Sequence, residues 1–495
     1  MRATFPLPFL YFAASAPLGC NPGAPGNRQL LFADLVKTSL FGQPNITGSQ
    51  NTTLDARGWP TQDFSLLFYN EPGGFYYPAA DFSGTYTITA LGCAAVSIPA
   101  GFGGLAVLNA SCPGGNLLAY LEISADGDAL RGRGALAFTG TSRGAGLGAG
   151  LTNVSLLLPG YPIGTDPDTL HEPALANIRG RCTVARFIGW AMFGHSSWDT
   201  ATPPTPCDWA VRPKPGDPTY VLGGWGIQGL GVPYEIIAKV AAALNVDVWI
   251  NLPSTVNETA RDEYVTSLVQ LFDDHLPPAL KLYIEYGNEC FFGNNQCYDD
   301  DQTLANITVL QGGDPYRLNY GLATPPNASA NLVPHWLPRM YTWTSLHLAQ
   351  LAAAVVGRAR VGRSDAPGVR VVPVIGAMGG YAADGWAKLE WLTAAWGAPT
   401  DAGLATMNIG AYFSASRNVT DNPNVTSDEV IDSLLANIAA ASTDAPTGYS
   451  STNGLSGFAA ASAYYGVALH AYEGGPDTSG GKGAGIMALG KACAE

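Results

Sequence analysis

The chain has 495 residues, with 25 Lys and Arg against 39 Asp and Glu for a net charge of −14, a length that suits a large domain plus an accessory one rather than one small core. Charged residues make up only 13% while Gly (60) and Pro (36) abound, which points to many turns and long surface loops. The negative balance, with no basic patch in the sequence, excludes nucleic acid as a natural partner, whereas a neutral polysaccharide meets no electrostatic penalty.

In chain order, residues 1–16 read as a signal peptide, with Arg2, an apolar run from Phe5 to Phe12 and the small triplet Ala14-Ser15-Ala16. No later run of 18 apolar residues follows, so no membrane span is expected. The short segment Ala16 to Cys20 is a candidate first strand. From 48 to 165 short alternating stretches such as Gly84 to Ala90 and Asn153 to Leu158 lie between Gly, Pro and Asn, the pattern of an all-β, sandwich-like module.

Beyond about Thr169 the texture changes. Apolar strands are expected at Val184 to Trp190, Val246 to Leu252, Leu280 to Tyr286, Val369 to Ile375, Met407 to Phe413 and Tyr465 to Tyr472. Helical patterns lie near Pro233 to Leu244, Ala260 to His275, Pro338 to Val356, Gly385 to Trp396 and Ser427 to Ala441. Alternating strands and helices with near-continuous apolar strands fit a parallel α/β architecture covered on both faces, either a doubly wound sheet or a (β/α)8 barrel. The expectation is a TIM-type (β/α)8 barrel from 17–47 and 166–495, with the β-module inserted after strand one.

N-x-S/T sequons occur at Asn45, Asn51, Asn109, Asn153, Asn257, Asn306, Asn327, Asn418 and Asn424, which suit a glycosylated, secreted or cell-wall protein. Eight cysteines, none at zinc-knuckle spacing, suit disulfides in an oxidising compartment. Proximity along the chain suggests Cys93 with Cys112, Cys182 with Cys207 and Cys290 with Cys297, although sequence does not fix connectivity.

This register puts Glu289 just past strand four and Glu473 just past strand seven, where barrel active sites sit. Retaining glycoside hydrolysis needs such a pair, one carboxylic acid that gives and recovers a proton and one carboxylate that attacks the anomeric carbon. The Asn-Glu pair after strand four, the lone Glu after strand seven and an aromatic after strand six resemble clan A of the glycoside hydrolases. The stretches ARFIGW, GVPYEIIAKVAAALNVDVWINLP, DEYVTSLVQLF, LKLYIEYGNE and AYEGG are similar to a group of large secreted clan A-like proteins of bacteria and algae, mostly uncharacterised and often described only as cellulose-binding. The resemblance implies Glu289 as acid/base, Glu473 as nucleophile, Asn288 as a ligand of the sugar 2-hydroxyl and Tyr412 as a residue orienting Glu473. Arg186, on strand two, is placed to act on Glu473 or instead on Glu285, which strand periodicity puts deeper on the same face as Glu289.

Trp190, Trp198, Trp249, Phe291, Phe292 and Trp386 are candidates to stack on sugar rings, with Trp190, Trp249 and Phe291 the leading three. The reaction calls for no metal or organic cofactor. The acidic run Asp299 to Asp301 reads as a solvated loop, with calcium binding as the less favoured alternative. Two features depart from the family pattern: Ser254 stands where related sequences tend to carry His, and only 22 residues follow Glu473, too few for an eighth strand with its helices. An incomplete barrel is therefore expected, and a carbohydrate-binding protein without turnover is the rival to a hydrolase.

Overall fold

The computed structural model describes residues 18–22, 31–42, 52–69, 83–100, 102, 104–124, 133–144, 146–191, 207–221, 231–291, 293, 295–310, 313–322, 333–379, 381–413, 416, 419, 425–442 and 455–476. It is an α/β protein with two bodies of strands. The first comprises β1 (Gly19–Cys20), β11 (Val184–Arg186), β12 (Asp247–Leu252), β13 (Leu282–Tyr286), β14 (Val371–Ala377), β15 (Thr406–Phe413) and β16 (Ala468–Pro476), adjacent in that order and all parallel. The sheet curls until β16 returns beside β1 with Cα separations of 8 Å or less. It is thus a nearly closed parallel barrel of seven strands; residues 477–495 lie outside the described set.

The helices between these strands are α1 (Glu172–Ile178), α2 (Tyr234–Leu244), α3 (Glu258–His275), α4 (Gln296–Leu310), α5 (Val333–Val356), α6 (Ala382–Trp396), α7 (Ser427–Ser442) and α8 (Leu455–Tyr465). Local chemistry sets several of their ends. Asn257 caps α3 by accepting from the Ala260 amide, and Asn245 stops α2 in the left-handed conformation that Asn tolerates. Helix α5 starts a turn earlier than its Pro338 suggests, because the preceding Trp336 and Leu337 are buried and hold that turn despite the missing N–H. One apolar layer, including Ile237, Val240, Leu268, Val269, Phe272, Ile250 and Ile284, joins α2 and α3 to the outer face of the barrel.

The second body is antiparallel and is threaded between β1 and β11. One sheet runs β10 (Thr152–Leu157), β4 (Gly84–Leu91), β7 (Asn116–Ile123), β6 (Leu105–Ser111). The other runs β2 (Ser39–Gly42), β3 (Phe64–Tyr69), β8 (Arg133–Arg143), β5 (Cys93–Ser97), with β9 (Gly146–Leu147) paired to β8. Alternate residues of both sheets face one shared apolar interior, among them Phe64, Leu66, Tyr86, Ile88, Leu121, Phe138 and Leu156. The sheets begin at Ser39, upstream of Gly48, because Leu35 and Val36 already contribute to this interior.

Disulfide pairing departs from proximity along the chain. Cys182 bonds Cys20, 162 residues away, so the bridge joins the strand that leaves the barrel to the segment that re-enters it. Cys207 is a buried thiol that donates to the Pro253 carbonyl at 3.3 Å, and burial pushes it up to about 12. Cys93 and Cys112 are free thiols within hydrogen-bonding reach of one another. Cys290 and Cys297 are bonded. Cys493 lies outside the described residues.

The acidic run is helical rather than a loop, and of its three residues Asp299 is exposed while Asp300 and Asp301 are buried. It lies in α4, whose period turns Asp301, Leu304 and Ala305 to one buried face, and burial raises the Asp300 and Asp301 carboxyls. No helix among the described residues is long and apolar enough to cross a membrane. Among the sequons, Asn109, Asn153 and Asn257 are exposed and Asn306 is half-buried; Asn45, Asn51, Asn327, Asn418 and Asn424 lie outside the described residues.

Candidate functional site

Parallel strands pair their residues level by level, and the lumen follows from that register. Arg186 pairs with Trp249, which pairs with Tyr283; two residues higher, Asn251 pairs with Glu285. Trp249 and Tyr283 stack at 5.5 Å and form an apolar floor with Val184, Val372, Val374 and Tyr472. On this floor stands Glu285, which is 1% exposed. Its Oε2 accepts from the Trp249 indole at 2.9 Å, from Asn251 at 2.9 Å and from Arg186 at 3.4 Å, and its Oε1 accepts from Asn408 at 3.1 Å. A carboxylate so deep in the protein persists only with such donors around it.

Arg186 is the hub above that floor. Beyond Glu285 it donates to Glu473 Oε2 at 3.4 Å and to Asn288 Oδ1 at 2.6 Å. Its guanidinium also lies 4.9 Å from the centre of the Tyr472 ring, within cation–π range. The two positions open to this arginine in the sequence, beside Glu473 or beside Glu285, are therefore both occupied.

Glu289 is carried by a turn just beyond β13. Gly287 (φ 60) and Glu289 (φ 50) both take left-handed conformations. A side chain at Gly287 would run into the Cys290 and Cys297 sulfurs, so only glycine lets the disulfide pack under the turn. A non-glycine residue at positive φ is strained, and Glu289 is held there by the bridge beside it and by Asn295, whose amide donates to the Glu289 carbonyl at 3.0 Å.

Glu473 reaches the lumen through a β-bulge. Ile409 pairs with Ala471 but Gly410 pairs with Glu473, leaving Tyr472 as the extra residue. In an unbroken strand neighbours face opposite sides, whereas the bulge lets Tyr472 and Glu473 both turn inward. The Tyr472 hydroxyl donates to Glu289 Oε1 at 2.5 Å. Tyr412, 37% exposed at the end of β15, hydrogen-bonds Glu473 through its hydroxyl.

The two glutamates thus sit in unlike surroundings. Burial lifts the Glu289 carboxyl above the ordinary glutamate range; the charges of Glu473 and Glu285 push the same way, against the Tyr472 hydrogen bond and Arg186. Burial and the neighbouring carboxylates raise the Tyr472 and Tyr412 phenols, so both remain protonated donors. Glu473 meets a guanidinium and a phenol, both donors to its carboxylate.

The structure thus brings Glu289, Glu473, Asn288, Tyr412, Arg186 and Trp249 to one rim and its floor. It moves others away. Trp190 is fully buried, donates to the Pro22 carbonyl at 3.0 Å and packs edge-on against Phe187 in the outer layer, so it cannot stack on a ligand. Trp249 offers its indole N–H to Glu285 from the floor rather than an open ring face. Phe291 is half-buried with the Lys388 ammonium 5.6 Å from its ring centre. Trp386 donates to the Gly457 carbonyl at 3.2 Å on the outer wall, and Trp198 and Phe292 lie outside the described residues. Ser254 is buried at the end of the segment leaving β12.

Sequence reading missed Asn251, Asn408 and Tyr472. The first two carried a signal, since an Asn inside an apolar strand needs a buried partner. Tyr472 is set against Glu473 by strict alternation, and only the neighbouring glycines hint at the bulge that turns it inward. No group of three or more His, Cys, Asp or Glu among the described residues is arranged to hold a metal ion. No family model, curated protein or solved structure matches the chain.

Proposed function

We propose that the protein is a retaining glycoside hydrolase of the clan A type on a (β/α)8-like barrel, with Glu289 as acid/base and Glu473 as nucleophile. The observation that supports this most is the meeting, beyond the fourth and seventh barrel strands, of two carboxyls in unlike environments, one raised by burial and one facing donors. Environments that differentiate two carboxyl groups divide acid from nucleophile. In the reaction so assigned, Glu289 gives its proton to the glycosidic oxygen as the bond to the anomeric carbon breaks, and Glu473 attacks that carbon to form a glycosyl ester. Water then gives a proton to Glu289 and displaces Glu473.

Asn288 fits its part in this scheme. With its carbonyl oxygen held by Arg186 at 2.6 Å, its amide N–H group is left to donate to a sugar hydroxyl. The substrate class is an extracellular or cell-wall polysaccharide, met outside the cell by a secreted glycoprotein; the two disulfides and the sequons support export.

Release of reducing sugar from a panel of glycans tests the reading. Wild type should release sugar and Glu473→Ala should lose roughly a thousandfold or more. Equal release from both removes Glu473 from the mechanism, and binding of a glycan with no release by wild type favours a carbohydrate-binding protein without turnover.

A further inference from the structure

We propose that Tyr472 is a positioning residue that fixes which oxygen of Glu289 carries the proton, an inference that rests on the acid/base role given to Glu289. The Tyr472 hydroxyl donates to Oε1 at 2.5 Å. A phenol O–H aimed at Oε1 makes that atom the acceptor of the carboxyl group, so in the neutral acid the proton resides on Oε2. Oε2 is then the oxygen that gives and recovers the proton, and Oε1 never leaves its donor.

The backbone builds this coupling directly. Tyr472 is the extra residue of the bulge and Glu473 is its neighbour, so one short segment carries both the nucleophile and the group that orients the acid. The Tyr472 ring is held on the far side by the Arg186 guanidinium at 4.9 Å and by the apolar floor. Gly410 makes room for the phenol, since any side chain there would press against the Tyr472 hydroxyl and the Tyr412 ring.

The same bond tunes the carboxyl. A donor to the charged form favours ionisation, so Tyr472 opposes the burial that raises Glu289. The other ionisable groups acting on Glu289 are Glu473 on the same strand, Glu285 on β13, Arg186 on β11 and Tyr412 on β15. None of these changes in Tyr472→Phe, which keeps the ring and its contact with Arg186.

The test is a carbon-13 NMR titration of the glutamate side-chain carboxyls in the full chain, with the Glu289 resonance assigned by its loss in Glu289→Gln. In Tyr472→Phe the Glu289 midpoint should move up by roughly one pH unit, the amount set by losing a hydrogen bond to a charged group. A midpoint that coincides with that of wild type overturns the proposal. Turnover is read separately. If wild type hydrolyses an aryl glycoside, the basic limb of kcat/KM should shift upward in parallel. A shifted midpoint in a protein that hydrolyses nothing would sustain Tyr472 as the group that orients Glu289 and count against the hydrolase reading alone.

Discussion

The interior of the sandwich and the deep part of the barrel lumen are both buried, yet opposite chemistries fill them. Between the two sheets Phe64 stacks on Phe138 at 4.7 Å among leucines, isoleucines and valines. In the barrel lumen the apolar floor gives way to Arg186, Glu285, Asn251 and Asn408, all buried and joined through Glu285. The first kind of interior gains stability from apolar area removed from water. The second is held by donors and acceptors that must be present together, since the loss of one leaves its buried partner unpaired. The two interiors are thus held together by different kinds of interaction.

The largest expected effect on stability tests the sandwich side of that division. Phe138→Ala removes a fully buried ring and should cost about 4 kcal/mol in denaturant unfolding, with turnover per folded molecule unchanged. A fall in turnover at full folding would mean that the module takes part in the site.

A smaller loss is expected from Arg186→Met. This leaves Glu285 buried without its cation, for about 3 kcal/mol of destabilisation, and it should also abolish activity because Glu473 and Asn288 lose their common donor. Full activity with lost stability would reduce Arg186 to a structural role.

The smallest effect is one of pH. The folded fold raises the Glu289 carboxyl above its unfolded value near 4.5, so the native state binds the proton more tightly. Its contribution is therefore fully present below that unfolded value and is lost as pH rises through the folded one. Unfolding curves of wild type and Glu289→Gln should diverge in that direction, the variant gaining relative stability with rising pH. Parallel curves would place Glu289 in water-like surroundings.

Much of this architecture is legible in the sequence. The apolar runs that end at Tyr286 and before Glu473 mark strands of a parallel sheet, and a register counted from Cys20 brings both glutamates to the same end of it. What the pattern does not carry is three-dimensional adjacency. Cys182 pairs with Cys20 rather than Cys207 because an insertion returns the chain to its starting strand, which no distance along the sequence reveals. Trp190 has the look of a stacking aromatic, but the chain turns at Gly189 (φ 73) and drives the indole into the outer layer. Tyr472 stays hidden for a sharper reason. A bulge breaks the two-residue alternation on which strand reading depends, and its only trace is the run of glycines after Glu473 and the lone Gly410 across from it.

The most direct test of the central claim is covalent. A panel of 2-deoxy-2-fluoro glycosides with good leaving groups slows the second step of a double displacement, so the glycosyl ester accumulates and can be located by peptide mass spectrometry. The sugar is expected on Glu473. A sugar found on another residue, or undiminished hydrolysis with no ester formed, would contradict it.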